Sequence, residues 1–574
     1  MSMKRFLLFA AVVSLLPWGA RAQVAKQVEV TKAYVPSLES AAKLPVQPLM
    51  TDTVKMYPEF DYAITPLPIG MELQVRPLRP ASVTYWEFNR PRTFYLKAGA
   101  GYPLNSLVDF YAATQHPGTG YVVGYFNHLG RYADIRNTYG NKINSIRLDN
   151  RAGAALGKYF GRHTLEGEVS YDNRLYHRYG AFRPKAPMVG GATPPRSLVD
   201  YSDVNLDLRF GDDFQDLSRF NFEVRLHGDA FFDHSDLVRK AWQSRLGAGA
   251  KVGRAFGRHR FTVEGGYEWT DGHQRVKRYG QRLVHAGARY GFDGDLLRFV
   301  VGADYYHDKI LGRDPRNYVV PFARLDFELG TRRFKPFVEL DGGLHDNSFQ
   351  SLSRQNPYVG GEAVLAASSV DYNIRLGLSG KLWDDRFDYR AYIAFSIHDN
   401  HPYWYGVSYG EPQIGAFSGV MMPALARQTV TSFHGEVVYR PWSFLCVDLG
   451  VHGYLYNDEG LYLYGSRVEL AHGEPQFRTH AGIRYEGRKI ACGVGVRARS
   501  KRWWSLLVPQ EGMPMQEGFG APFCVDLGAD FEWRISSRVC VFAEGRNLLD
   551  RKLYDFPWYP EYRVCCTVGA KVAF

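Results

Sequence analysis

Polar and apolar residues alternate along most of this chain, and this alternation restricts its fold more than any other feature. The segment 203–210 reads DVNLDLRF, and 221–230, 323–329 and 372–378 follow the same period of two. Successive side chains of a β-strand point to opposite faces, so each segment predicts a strand with one apolar and one polar face. Such strands form walls between lipid and a polar lumen, and they also form soluble sandwiches.

The links between these strands distinguish the two environments. From about residue 94 the chain has roughly 22 candidate strands, and short links alternate with long ones. The short links read QHPG, FGRH (twice), GFDGD, LGTR, WDDR, YRPW, YEGRK and RISSR. The long links lie at about 129–142, 175–199, 345–368, 399–426, 501–519 and 549–558. Membrane barrels have tight periplasmic turns and longer outer loops, so we predict an all-β fold, a transmembrane antiparallel β-barrel of about 22 strands over residues 93–574.

Residues 1–22 have the composition of a signal peptide. A basic pair precedes an apolar run of about eleven residues, which is shorter than the roughly twenty that a membrane helix needs. Ala20 and Ala22 are the small residues that a signal peptidase accepts, so the mature chain is expected to begin at Gln23. The chain is therefore predicted to be exported, and a barrel of this kind is expected in the outer membrane of a Gram-negative cell.

Composition argues against two other classes of protein. With 22% charged residues and a mean hydropathy of -0.30, the chain is too polar for a bundle of membrane helices. The formal net charge of +11 raises the question of nucleic acid, but Lys and Arg are scattered along the whole length and form no concentrated basic patch. We expect no nucleic acid partner.

The final segment gives the most specific pattern in the chain. Residues 562–574 read YRVCCTVGAKVAF, in which every second residue is apolar or aromatic and the last is Phe574. We predict a terminal strand that pairs with a first strand near 94–102, because an open edge in lipid would leave backbone groups without partners. Phe574 is predicted to be the signal by which the barrel assembly machinery recognises the chain, with outer-membrane lipid around the finished wall.

The last 33 residues resemble the C-terminus of TonB-dependent receptors. In that family a corner of the form G-x-N-L-x-D leads into a Tyr/Pro loop and a terminal strand that ends in Phe. The residues that carry the resemblance are Gly545, Asn547, Leu548, Asp550, Tyr554 and Phe574. The resemblance implies a receptor or channel that takes up a nutrient, with a TonB-type energising protein and a surface lipoprotein as expected partners.

The N-terminal part departs from that family. Such receptors carry a plug of well over a hundred residues, whereas residues 23–92 supply about 70 and are rich in proline. We interpret this segment as a reduced plug that lies in the periplasm or the lumen. Its residues Val28, Val30, Thr31 and Ala33 resemble a TonB box, an extended peptide that pairs with the edge of a partner's sheet, and a plain extended tail is the alternative.

Motifs for catalysis are missing from the sequence. It contains no G-x-S-x-G, H-E-x-x-H or P-loop and no C-x-x-C with metal spacing, so we predict neither an enzyme nor a cofactor or metal site. The six cysteines lie in the last strands, where small wall residues are the favoured interpretation and a cross-strand disulfide is the alternative. Cys565 and Cys566 are adjacent and point to opposite faces.

Aromatic residues are concentrated in the long links. Rings near strand ends fit the girdle that a barrel forms at the membrane interface. Rings deep in the links can instead stack on a ligand, and Trp404 and Trp558 are our candidates for this contact.

Two functions are consistent with these features. The first is an outer-membrane receptor or channel of the TonB-dependent receptor type that takes up an unidentified nutrient. The second is an outer-membrane barrel that transports nothing and acts as an assembly or scaffold partner of a surface complex.

Overall fold

The computed structural model describes residues 93–574 except for 115–117, 183–197, 215, 236–239, 330–332, 362–366, 409–416, 459–460, 464–465, 469–472 and 508–514. The predicted cleavage residues Ala20 and Ala22 and the segment 23–92 lie outside the described residues. The same is true of the residues with a predicted role in TonB binding, Val28, Val30, Thr31 and Ala33. Their roles stay predictions.

Thirty strands and one helix are formed by the described residues. The first fifteen strands are β1 (Phe94–Tyr102), β2 (Asn105–Ala113), β3 (Gly120–Arg131), β4 (Asp134–Arg136), β5 (Lys142–Asn144), β6 (Arg147–Phe160), β7 (His163–His177), β8 (Leu198–Gly211), β9 (Asn221–Asp233), β10 (Ala241–Phe256), β11 (His259–Gln274), β12 (Gly280–Asp293), β13 (Leu297–Ile310), β14 (Arg316–Phe327) and β15 (Lys335–His345). Next come α1 (Phe349–Gln355), β16 (Ser369–Leu382), β17 (Phe387–Ser408), β18 (Phe417–Trp442), β19 (Leu445–Asp458), β20 (Leu461–Leu463), β21 (Ser466–Val468), β22 (Phe477–Glu486) and β23 (Ile490–Arg499). The last strands are β24 (Arg502–Leu507), β25 (Met515–Ala521), β26 (Cys524–Arg534), β27 (Val539–Arg546), β28 (Tyr554–Phe556), β29 (Tyr559–Pro560) and β30 (Cys565–Ala573).

The wall is a closed antiparallel barrel of 22 strands. Each wall strand pairs with the next wall strand along the chain, and β30 pairs with β1 to close the circle. In that closing ladder Tyr95 lies opposite Ala573, and Tyr102 lies opposite Cys566. The predicted fold class, the strand number and the pairing of the first strand with the last are therefore confirmed.

Alternation of side chains gives the wall its two faces. On β8 the outward residues Val204 and Leu206 are 42% and 43% exposed, whereas the inward residue Asp203 is 3% exposed. In a barrel that spans a membrane, the outward side chains contact lipid and the inward ones contact the lumen. None of the described helices has the length and apolarity needed to cross a membrane.

One end of the barrel carries mostly tight turns, and we call it the short-turn end. Both FGRH turns place a glycine in the left-handed region, with φ of 65° at Gly161 and 61° at Gly257. Glycine adopts this conformation without strain, which explains why two-residue hairpin loops contain it. The WDDR turn instead uses three residues with positive φ, Trp383, Asp384 and Asp385.

The opposite, long-link end differs from the sequence prediction in two ways. Some links there are short, for example 103–104, 275–279 and 311–315, so the alternation of lengths is not strict. The predicted link 399–426 is instead mostly strand, because β17 and β18 remain paired from His401 to Ser408 on one side and from Phe417 to Ala426 on the other. The correction has a physical reason: β17 pairs in parallel with the hairpin β24–β25, which supports the extension.

The corner after β27 explains the residues that carry the family resemblance. Asn547 has a φ of 49°, a conformation that asparagine tolerates better than most residues. Its side-chain amide donates hydrogen bonds to the carbonyl oxygens of Arg551 (2.7 Å) and Tyr562 (3.1 Å). Asn547 therefore connects the start and the end of the link that leads into β30.

Candidate functional site at the long-link end and in the lumen

Apolar side chains of the long links and of the adjoining strand ends pack into one buried cluster, which we call the cap. Its members come from parts of the chain that are far apart in sequence, so the cap joins links that the wall keeps separate. The buried residues of the cap are Ile135, Tyr176, Tyr179, Val199, Tyr201, Phe231, Ala241, Val276, Phe349, Leu352, Tyr358, Val359, Trp404, Phe417, Met421, Trp504, Leu506, Phe519, Ala521, Tyr554, Trp558 and Tyr559.

Stacked rings lie at the centre of the cap. The rings of Tyr358 and Tyr559 stack with centroids 3.4 Å apart and planes 6° apart. The hydroxyl of Tyr559 donates a 2.7 Å hydrogen bond to the carbonyl of Gly419, whose φ of 83° is typical of glycine. Burial raises the pKa of Tyr358 well above its ordinary value, so its hydroxyl stays protonated. Close packing of these rings makes the cap resemble the core of a soluble domain.

The two tryptophans predicted to contact a ligand both lie in the cap. Trp404 is part of β17 and is 7% exposed, and Trp558 is 3% exposed. The ring of Trp558 stacks on Phe417 with centroids 4.2 Å apart, and it lies so close to Gly406 that a side chain there would collide with it. In this conformation both rings contact protein, so their contact with a ligand stays a prediction and would require the cap to open.

Residues 346–361 fold against the lumen wall and include α1. The guanidinium of Arg245, on β10, lies 2.8 Å from a carboxylate oxygen of Asp346. The amide of Gln350, on α1, donates a 3.0 Å hydrogen bond to Asp203 on β8. Although burial opposes its ionisation, Arg245 and Ser348 hold the pKa of Asp346 below its ordinary value. Charged and amide contacts thus attach this link to the inside of the barrel.

A polar cavity of about 760 Å³ lies next to this link, on the lumen side of strands β2, β3 and β6–β9. Arg354 from α1 contributes to its lining. Its carboxylates are Asp109, Asp149, Glu168, Asp172, Asp203 and Asp207. Its other cations are Arg151, Arg174 and Arg225. A chain with a formal net charge of +11 therefore presents a local excess of carboxylates in this cavity.

The arginines of the cavity already have carboxylate partners. Arg225 contacts Asp207 at 2.6 Å, and Arg174 and Arg354 approach the same carboxylate of Asp203 at 3.4 and 3.5 Å. The guanidinium of Arg151 lies 3.5 Å from a carboxylate oxygen of Asp172. Because each cation is already paired with a carboxylate, the remaining carboxylates determine the sign of the charge that a solute would meet.

The alternation of β8 and β9 correctly places the polar residues of this cavity on the lumen face, but it does not single them out as a site. The contribution of α1 was missed, because the sequence of 345–368 reads as a link without regular structure. A local signal was available: Ser348 caps the helix by accepting a hydrogen bond from the backbone N–H of Ser351, and apolar Phe349 and Leu352 are three positions apart.

The C-terminal residue lies at the short-turn end. The backbone N–H and C=O of Phe574 form hydrogen bonds with Phe94 at 3.1 and 2.8 Å, and the ring centroids of the two residues are 5.7 Å apart. The side chain of Phe574 is 58% exposed on the outside of the barrel. Recognition of Phe574 by an assembly machinery stays a prediction, and this position leaves the ring accessible.

The six cysteines are free thiols in the structure. In the part of the chain that the structure describes, no group of three or more His, Cys, Asp or Glu residues is arranged to hold a metal ion.

Comparison with known proteins places this fold. No family model and no curated protein sequence matches the chain. Among solved structures, the FrpB iron transporter from Neisseria meningitidis has a TM-score of 0.64 at 12% identity, over 84% of this chain and 81% of that chain. The copper transporter OprC has a TM-score of 0.60 at 12% identity, over 84% and 81%. The ferripyoverdine receptor of the outer membrane of Pseudomonas aeruginosa has a TM-score of 0.59 at 12% identity, over 84% and 71%.

The chain therefore shares the fold of these large β-barrel transporters and receptors. More narrowly, a plugged-transporter barrel of 22 strands is compatible with the resemblance of residues 542–574 to the C-terminus of TonB-dependent receptors. At 12% identity the likeness establishes the fold, and it does not identify a substrate.

Proposed function

We propose that this protein is an outer-membrane receptor and channel that takes up a nutrient through the lumen of its barrel, in the manner of TonB-dependent receptors. The observation that supports the proposal is a closed wall of 22 strands around a polar, charged lumen, in a fold shared with solved outer-membrane transporters. Barrels of about 22 strands are the size that the plugged outer-membrane transporters use. This size and lining suit the passage of a solute.

The charge of the lumen cavity favours a cationic or uncharged polar solute over an anion. Carboxylates outnumber arginines along the cavity, and each of those arginines is paired. An anion would therefore be repelled by the carboxylates, and no unpaired arginine of the cavity would offset this repulsion. The cavity volume of about 760 Å³ is in the range of sites that bind molecules larger than a bare ion.

An energised mechanism remains part of the proposal. It assigns residues 23–92 to a reduced plug and Val28, Val30, Thr31 and Ala33 to contact with a TonB-type protein. A deletion strain should grow poorly when one nutrient, such as a metal complex or an oligosaccharide, is limiting. The complete gene should restore growth, and Val30→Pro should not, because proline removes a donor needed for strand addition. Val30→Thr, which preserves extended geometry, is the matched control.

Removal of residues 23–92 tests the plugging role separately. We expect the truncated barrel to admit large antibiotics and to conduct more strongly in planar bilayers, since a barrel of this width without a plug leaks. Heat-modifiable migration on gels would verify that the truncated barrel still assembles. Unchanged permeability of an assembled, truncated barrel would contradict a plugging role.

The cap favours the second function to a degree. Its aromatic packing joins several links at the long-link end, as a scaffold that transports nothing would permit. If every nutrient supports equal growth of the deletion strain, while the purified barrel retains a surface lipoprotein through the cap, the scaffold function would replace the receptor.

A further inference from the structure

The ladder between β14 and β15 is shorter than its neighbours in the wall. Pairing between the two strands is limited to Ala323–Asp326 of β14 and Phe337–Leu340 of β15. On either side, β13–β14 and β15–β16 pair along almost their whole lengths. We call the unpaired half of this junction, which lies toward the long-link end, the seam.

Sequence and packing both explain why the ladder stops. Pro321, two positions beyond the last paired residue, has no N–H to donate to a neighbouring strand. If the register continued, Pro321 and Val320 would lie opposite Gly342 and Gly343. The side chain of Val320 occupies the junction instead, since a Cβ built on Gly342 would lie 2.8 Å from its Cγ1. At this point β14 and β15 are therefore in contact through the side chain of Val320, where a continued ladder would have backbone hydrogen bonds.

A pocket of about 390 Å³ opens at the end of the seam. Its lining comes from the start of β14 and from the middle of β17 and β18, where their pairing has a register shift. The lining residues are Arg316, Asn317, Tyr318, Asp399, Asn400, Ala426 and Arg427. The phenolic oxygen of Tyr318 is buried and has no hydrogen-bond partner among the described residues. Such an oxygen is costly to bury alone, so a polar ligand at this position would relieve its desolvation.

Charge indicates what such a ligand would be. Arg316 is exposed and has no carboxylate within ion-pair distance among the described residues. Arg427 is 47% exposed at its side chain and lies 3.1 Å from Asp399, which is 39% exposed. Two guanidinium groups beside amide donors form a site for phosphate, because guanidinium can donate two parallel hydrogen bonds to it.

The depth of the pocket points to a lipid. The part of β14 from Val319 to Phe327 has nearly the ~10 residues that a membrane strand needs, so Asn317 and Arg316 lie at the level of lipid headgroups. Val319 is 60% exposed and is the first apolar residue below the pocket on the outward face. A chain attached to a headgroup in the pocket would therefore lie along Val319 and Pro321.

We propose that the seam and its pocket bind an outer-leaflet lipid with a phosphate headgroup, the phosphate between Arg316 and Arg427 and the acyl chain against Val319 and Pro321. This pocket shares no lining residue with the lumen cavity and does not depend on the proposed transport function. The bound chain would cover backbone groups that the short ladder leaves without partners in the membrane.

The test is native mass spectrometry of the full chain in a neutral detergent, titrated with dodecyl phosphate. We expect one saturable site and at least tenfold weaker binding by Arg316→Gln/Arg427→Gln. A control with the same loss of charge, Arg136→Gln/Arg258→Gln, should bind like the unaltered protein, since neither arginine lines the pocket. Equal binding by both double variants would overturn the proposal.

Two further arms separate a lipid from a free anion. Inorganic phosphate should bind far more weakly than dodecyl phosphate, and Val319→Asn should weaken dodecyl phosphate binding several-fold without changing that of inorganic phosphate. If inorganic phosphate bound as well as dodecyl phosphate, the pocket would be a site for free anions and the lipid assignment would be wrong. Heat-modifiable migration of each variant verifies that the barrel is intact.

Discussion

Strand β18 places the same residue type in opposite environments at its two ends. Phe433, in the wall, is 47% exposed on the outward face, whereas Phe417, in the cap, is fully buried and stacks on Trp558. The wall turns its apolar side chains outward, whereas the cap packs its apolar side chains inside. The difference teaches that one strand can be adapted to two environments, with lipid around its part near the short-turn end and water around its part near the long-link end.

The consequence is that burial has a different meaning in the two regions. In the cap, an apolar side chain contributes to stability by leaving water and filling space among other side chains. In the wall, an outward side chain contacts lipid before and after it is replaced by a shorter one, so its size has less effect on stability. Substitutions that are equal in chemistry should therefore have unequal effects in wall and cap.

The largest effect is expected for Phe417→Ala. Removing a buried ring leaves a cavity beside Trp558, with a cost of about 3–5 kcal/mol to the cap. Phe433→Ala on the same strand is the matched control, and it should cost much less because acyl chains fill the space. The measurement is trypsin cleavage of the long links on intact cells, with heat-modifiable migration as a readout of the wall. Equal cleavage in both variants would mean that the cap is not a core of its own.

The next effect concerns a charge on the wall. Val568 is 56% exposed on the outward face of β30, and Val568→Arg should cost about 2–4 kcal/mol for a charge near the bilayer midplane. Thr567→Arg, one residue earlier, faces the lumen beside Glu544 and should be tolerated better. Amounts of heat-modifiable barrel in outer-membrane fractions compare the two. Similar losses would show that β30 does not have one lipid face and one lumen face.

A moderate effect is expected where the cap region meets the lumen. Asp346→Asn weakens the contact with Arg245, and hydrogen bonds to charged groups contribute about 1.5–3 kcal/mol. Release of the link 346–368 should raise conductance in planar bilayers. Asp134→Asn removes an exposed pair with Lys142, worth about 0–1 kcal/mol, and serves as control. If the conductance of Asp346→Asn equalled that of the control, this link would not restrict the passage of ions through the lumen.

The same contact predicts a dependence on pH. The pKa of Asp346 is lowered when the link is docked, so docking is fully favoured above the ordinary aspartate pKa of about 4 and is lost as the pH falls through the lowered value. Conductance should therefore rise in strongly acidic buffer. In Asp346→Asn this rise in conductance should be smaller, because one of the titrating groups is gone. An unchanged rise would mean that other carboxylates cause it.

The smallest effect is expected at the short-turn end. Trp442 is 58% exposed and stacks on Phe444 with ring centroids 5.7 Å apart, a pair that fits the membrane interface. Trp442→Ala should lower stability by about 0.5–1.5 kcal/mol. Urea unfolding of the barrel reconstituted in lipid measures it. Replacing Trp442 by Phe should recover most of the loss, and failure of that recovery would argue against a stacking contribution.

The wall was predictable from the sequence because its rules are local. Alternation in segments such as 203–210 determines which face of a strand is apolar, the turn residues determine where a strand ends, and Asn547 marks the corner before the last strand. The number of strands and the pairing of β1 with β30 follow, since every edge in lipid must be paired.

The cap and the lumen site were decided by tertiary structure alone. Tyr358 and Tyr559 are 201 positions apart in the sequence, and nothing local to either residue indicates that their rings stack. Trp404 and Trp558 read as exposed link residues until the packing of neighbouring links buries them. Arg354 reaches Asp203 because α1 folds inward against the wall. Period and composition specify which face of an element is apolar, but the partner that covers it depends on contacts between distant segments, and those arise only when the barrel has closed and its links meet.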